Sequence, residues 1–263
     1  MMKNAMVVGA TSFVGFSLCK KLIHREVEVY GVELSQNKAA HDEDKLMEIG
    51  RNAYFRYQGL FNRESLEAAG KFDAVYFCLE TEEMFKREYQ EVIAFMSEQS
   101  GKVFLVTPRI FAETCTILQK LLKHANSTLV VHPALFGPWQ PQEEPIQRKI
   151  IEGLTGEAGS EKLVMEDQDI LYVEDFAEML IKLSEQRFKK ESRTVRLASK
   201  DNKALKILAD EMDIVITDKK DATQTEWEKD AEVIYVESSL EVTEALSLQR
   251  QHTAKRIKIV DNP

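Results

Sequence analysis

The stretch NAMVVGATSFVGFSLCKKLI, residues 4–23, changes its hydrophobic period partway along. Asn4 to Val8 is a short apolar run of the kind that forms a buried strand. Phe13, Val14, Leu18, Leu22 and Ile23 then recur at helical spacing. Between them Gly9 and Gly15 hold the outer positions of a G-x-x-G-x-x-G pattern, with Ser12 in place of the middle glycine. A strand, a glycine turn and a helix in that order build a site for a pyrophosphate at the helix N-terminus. The candidate cofactor-binding residues of this turn are Gly9, Thr11, Ser12, Phe13, Val14 and Gly15. Ser12 is small enough to leave room for a phosphate and can donate to it. It can equally cap the helix by accepting from a backbone N–H.

The next apolar run, Glu26 to Val32, reads as a second strand and ends at Glu33. Glu33 lies 24 residues after Gly9, near the spacing at which a carboxylate holds the adenosine ribose hydroxyls. A carboxylate there repels a 2′-phosphate, so NAD is expected rather than NADP.

Working outward, strand-like and helix-like segments alternate. Strands are expected at 53–57, 72–79, 102–107 and 128–132, and helices at 82–99 and about 111–124. Such alternation predicts βαβ units, hence an α/β fold with a doubly wound parallel sheet. Pro133, Pro138, Pro141 and Pro145 then cluster, marking a departure from the sheet. The expected organisation is a dinucleotide-binding Rossmann core over 1–135 and a small C-terminal α/β lobe over 136–263. That lobe is interleaved with the core, with segments near 170–186 returning to the sheet. Helices are expected at 146–154, 175–185 and 240–256, and short strands at 194–197 and 214–217.

The whole chain has 263 residues, 44% hydrophobic and 30% charged, which suits a globular protein with a sizeable core. Lysines and arginines number 35 against 44 acidic residues, a net charge of −9. That balance argues against a general nucleic-acid binder. The absence of an apolar run of about 18 residues argues against a membrane span. Cys19, Cys78 and Cys115 are widely spaced in apolar surroundings, as expected of buried thiols in a reducing cytoplasm. The histidines at 24, 41, 124 and 252 show no metal-ligand spacing, so no metal is expected. Asp42-Glu43-Asp44 reads as a solvated charge run.

With these residues in view, the sequence resembles the extended short-chain dehydrogenase/reductase family of NAD-dependent nucleotide-sugar epimerases, dehydratases and reductases. Asp73 to Leu79 resembles its fourth strand and Val103 to Thr107 its fifth, which ends in a catalytic Ser or Thr. His132-Pro133-Ala134-Leu135-Phe136-Gly137-Pro138 is similar to its Arg-Pro…Gly-Pro segment, with His in place of Arg. Leu171 to Ala177 resembles a later element in which an Asp begins a helix, and Leu240 to Gln249 its C-terminal helix. The resemblance implies NAD as cofactor, a nucleotide-sugar or other small molecule as ligand, and a homodimer through helices 82–99 and 111–124.

The chemistry departs from that pattern. The family uses a Tyr followed four residues later by a Lys, which lowers the Tyr pKa for proton exchange. None of the seven tyrosines (30, 54, 57, 76, 89, 172, 235) has a Lys four positions on. Phe111 and Cys115 stand at those two positions. Leu60 stands where the family has an Asp that reaches adenine, and Glu80 follows the fourth strand where small residues border the cofactor. Thr107 and His132, at two strand ends, are the remaining catalytic candidates. Three readings follow: an NAD-binding regulatory or non-classical member, an active oxidoreductase, epimerase or dehydratase with a rebuilt site, or a scaffold without cofactor.

Overall fold

A computed structural model describes residues 2–33, 42–64, 70–80, 91–96, 100–109, 111, 127–156, 163–165, 169–186, 193–201, 203–217 and 226–261. The strands are β1 (Asn4–Val8), β2 (Glu28–Glu33), β3 (Phe55–Leu60), β4 (Ala74–Cys78), β5 (Val103–Pro108), β6 (Ser127–His132), β7 (Ala134–Phe136), β8 (Val164–Met165), β9 (Ile170–Tyr172), β10 (Arg193–Ser199), β11 (Val215–Ile216) and β12 (Glu232–Val236). The helices are α1 (Phe13–His24), α2 (Asp42–Ile49), α3 (Pro145–Thr155), α4 (Val173–Glu185), α5 (Lys203–Met212), α6 (Glu226–Asp230) and α7 (Val242–Asp261). Residues 91–96 are also helical.

Eight strands form one sheet in the order β12-β10-β6-β5-β4-β1-β2-β3. From β10 to β3 each adjacent pair is parallel. This is the doubly wound α/β arrangement. β1, β4 and β6 are buried almost throughout, as parallel strands covered on both faces must be. The chain builds outward from β1 through β2 to β3, then returns to place β4 on the other side of β1. The strand order therefore reverses between β1 and β4, and in such sheets ligands bind at the C-terminal strand ends beside that point.

The chain divides into two compact units. One comprises residues 1–132, 177–196 and 225–233; the other comprises 133–176, 197–224 and 234–263. One face of the first unit's sheet carries Met6, Val8, Val75, Phe77, Leu79, Val103, Leu105, Leu129 and Val131, packed with Ile93 and Met96. The second unit has its own core, in which Phe136, Ile146, Ile150, Ile170 and Tyr172 meet Leu205, Leu208, Met212 and Leu246. Two short parallel pairs, β7 with β9 and β8 with β11, lie outside the large sheet.

α1 forms because its apolar residues suit burial on nearly every side, and Ser12 caps its start. It stops at Arg25 and Glu26, the latter at φ 60, and Val27 N–H returns to Leu22 O at 3.1 Å. At the opposite edge, β3 pairs with β2 through an irregular register. Gly31 faces Tyr57 and Val32 faces Gly59, so Gln58 is skipped, and Gly59 has φ 71. The expected charge run at 42–44 is corrected at its first residue. Asp42 and Lys45 are buried because α2 turns Asp42, Lys45 and Ile49 to one face. Most of expected helix 82–99, and all of 111–124 beyond Phe111, lies outside the described residues. Among those described, no helix is long and apolar enough to cross a membrane.

Candidate functional site

The turn after β1 is shaped by its two outer glycines. Gly9 has φ 80, and a Cβ on it would stand 3.0 Å from Cys78 O of β4. A Cβ on Gly15 would stand 2.0 Å from Gly9 O, closer than any two such atoms can come. Both positions require glycine, and together they seat the first turn of α1 against β1 and β4.

The backbone donors of this turn can be accounted for one by one. Gly9 N–H and Ala10 N–H donate to Val32 O at 2.8 and 3.4 Å. Thr11 N–H donates to Glu33 Oε1 at 2.9 Å. Ser12 N–H donates to Gly9 O at 3.0 Å and Phe16 N–H to Ser12 O at 2.9 Å. Gly15 N–H donates to Ser12 Oγ at 3.1 Å. The two remaining donors go to one carboxylate: Phe13 N–H to Glu80 Oε2 at 3.1 Å and Val14 N–H to Glu80 Oε1 at 2.6 Å. Ser12 Oγ donates the third bond to this carboxylate, at Oε1 and 2.9 Å. Every N–H from residue 9 to residue 16 thus has an acceptor within the chain. Glu80 lies just past β4, so its carboxylate sits in the anion cradle of α1 at the point where the strand order reverses.

Burial pushes the Glu80 carboxyl above the usual carboxylate range, against its hydrogen bonds from Val14, Ser12 and Phe13 and the charge of Lys45. Burial likewise pushes Glu33 up to about 7, with Asp42 adding to the rise and the Thr11 bonds and Lys45 opposing it. Lys45 is buried and donates to Thr11 O at 2.5 Å. Sequence reasoning missed it. The signal was the spacing of Asp42, Lys45 and Ile49 on one helical face.

The donor set fits an anion, and the two glycines leave the close backbone approach that a pyrophosphate needs. A dinucleotide pyrophosphate would be held by Phe13 N–H, Val14 N–H and Ser12 Oγ once Glu80 gives up those donors. Glu33 would have to leave Thr11 N–H, or share it, to reach a ribose.

Thr107 and His132 lie on adjacent strands, where Thr107 pairs in register with Val131 and Pro108 with His132. Residues in register share a face and successive residues alternate, so Thr107 and His132 project to opposite faces of the sheet. Thr107 is fully buried, and its hydroxyl has no hydrogen-bond partner among the described residues. His132 is also buried. Phe111 packs against the apolar core beside the sheet, and Cys115 lies outside the described residues. Leu60 ends edge strand β3, 40% exposed. Among the described residues no group of His, Cys, Asp or Glu could hold a metal ion.

No protein-family profile matches the sequence, and no curated protein matches it. Solved structures do match in fold. UDP-glucuronic acid 4-epimerase from Bacillus cereus, in complex with NAD, superposes with a TM-score of 0.65 at 12% identity, covering 95% of this chain and 96% of that one. dTDP-glucose 4,6-dehydratase from Bacillus anthracis, in complex with NAD, gives 0.67 at 11%, covering 97% and 98%. UDP-glucose 4-epimerase from Thermotoga maritima, with UDP-glucose, gives 0.61 at 14%, covering 97% and 99%. Over 95–97% of its length, the chain shares the fold of the NAD-dependent nucleotide-sugar epimerases and dehydratases.

Proposed function

We propose that this protein binds NAD(H) in a regulatory or sensing role and does not carry out the proton-relay chemistry of its structural neighbours. The observation that carries the reading is the cradle at the start of α1: two sterically required glycines, and three donors converging on an anionic group. The fold neighbours that were solved with NAD support the choice of ligand. The lack of any Tyr followed four residues later by Lys supports binding over turnover. So does the position of Phe111, which packs as core and has no proton to exchange. Glu33 favours NAD(H) over NADP(H), because a carboxylate near the ribose repels a 2′-phosphate.

Calorimetric titration of the purified, cofactor-stripped protein with NAD⁺, NADH, NADP⁺ and NADPH tests this. Saturable binding of NAD(H), with NADP(H) about tenfold weaker or more, is expected, together with no turnover of UDP- or dTDP-sugars. Turnover abolished by Gly9→Val would overturn the non-catalytic part.

A second reading, a scaffold without cofactor, is favoured by the complete satisfaction of the N–H groups of residues 9 to 16. Absence of binding to all four dinucleotides, in native protein and in folded Glu80→Ala alike, would establish it.

A further inference from the structure

We infer that Glu80 is an internal gate on the dinucleotide cradle: its carboxylate and the ligand's pyrophosphate compete for the same three donors, and binding requires Glu80 to leave. The inference rests on the reading of the cradle as an NAD(H) site and says what controls it.

The geometry makes the two occupants exclusive. Val14 N–H and Phe13 N–H are single donors aimed at Glu80 Oε1 and Oε2, at 2.6 and 3.1 Å. Ser12 Oγ receives the Gly15 N–H, so its one hydrogen is free to go to Glu80 and not to a second acceptor at the same time. A pyrophosphate that arrived with Glu80 in place would find no free donor. It would also place its two negative charges against a carboxylate in a partly buried site. The apparent affinity of such a site is its intrinsic affinity reduced to the fraction of molecules with the gate open.

The charged and titratable groups around Glu80 set the direction of its pH response. Lys45 of α2 favours the carboxylate, while burial disfavours it. Glu33 of β2, Cys78 of β4 and Cys19 of α1 belong to the same interacting set, and Asp42 of α2 acts on Glu33. Protonation removes the charge that the N-terminal donors of α1 hold. Lower pH therefore loosens the gate and lessens the repulsion of an incoming anion. The device admits the dinucleotide more readily as pH falls.

The test is titration of NADH into native protein, Glu80→Gln and Glu80→Ala, each shown by circular dichroism to be folded, at a series of pH values across the range in which all three stay folded. The expected result is affinity for NADH about tenfold or more higher in Glu80→Ala than in native protein. The native affinity should also rise as pH falls by more than that of Glu80→Gln, which retains Glu33 and Lys45 but cannot ionise at position 80. Equal affinity and equal pH dependence in all three proteins would overturn the gate and leave the proposed NAD(H) binding standing. Failure of native protein and both folded variants to bind would overturn the gate and the cofactor reading together. If Glu80→Ala does not fold, Glu80→Gln and the pH comparison decide between the same outcomes.

Discussion

Two buried polar clusters, one in each unit, solve the same problem with opposite chemistry. In the second unit, Gln140, Gln147, Gln249 and Thr253 are all nearly inaccessible and all uncharged. Gln249 Oε1 accepts from Gly137 N–H at 2.9 Å, while its Nε2 donates to Gln140 Oε1 at 2.7 Å and to Gln147 Oε1 at 2.8 Å. Gln147 donates on to Thr253 Oγ1 at 3.1 Å, and Thr253 donates to Gln249 O at 2.9 Å. The first unit instead places Glu33, Glu80, Asp42 and Lys45 around the turn after β1. The neutral network has no group that titrates near neutral pH and works as a brace. The charged one holds carboxyls displaced from their ordinary range, so protons or anions can rearrange it.

The comparison can be broken at the frame of the charged site first. Gly15→Val puts side-chain atoms where even a Cβ would overlap Gly9 O. The expected outcome is loss of a cooperative thermal transition, read by circular dichroism. Next comes the brace. Gln249→Ala leaves Gly137 N–H and two glutamine amides short of partners in a buried place. Chemical denaturation should show a loss of about 3 kcal/mol. That loss should be the same at acid and neutral pH.

The charged cluster should behave differently. Glu33 has a folded-state pKa raised to about 7, so its ionisation opposes folding. The stability that Glu33 contributes is fully present below its unfolded value and is lost as pH rises through about 7. From about pH 5 to about pH 8, native protein should lose about 2 kcal/mol more than Glu33→Gln in parallel denaturant melts. The smallest effect expected is that of Ser12→Ala, which removes the cap on Gly15 N–H and one donor to Glu80. It should cost about 1 kcal/mol by the same measurement.

Most of the sheet was legible in the sequence because each strand of its centre is a continuous apolar run, and each run is followed by a helical period or a turn. β11 falls within the short strand expected at 214–217, and β9 overlaps the element that resembles the family at 171–177, but the short strands β7 and β8 were not legible. Two or three residues carry no period, and only their neighbours in space make them strands. The glycine turn was legible because its chemistry is local. Glu80 was visible as a departure from the family pattern, but its partners are not local: Ser12 lies 68 residues away. Whether its carboxylate turned toward the cradle depended on how β4 docks beside β1. Thr107 and His132 show the same limit. Each could be placed at a strand end, but the register that sends them to opposite faces belongs to the pairing of β5 with β6 and not to either segment.

The skipped residue in β3 has a consequence beyond the site. Among the described residues β3 is the outermost strand of the sheet, and an outermost strand offers N–H and C=O groups to any other extended chain. Here Tyr57 is 39% exposed and Leu60 40%, an apolar lure for such a chain. The break in step at Gln58, followed by Gly59 at φ 71, bends the line of those groups out of register. A second molecule could match only a few residues before its ladder failed. An irregular border of this kind is a poorer template for fibrous self-association than a straight one.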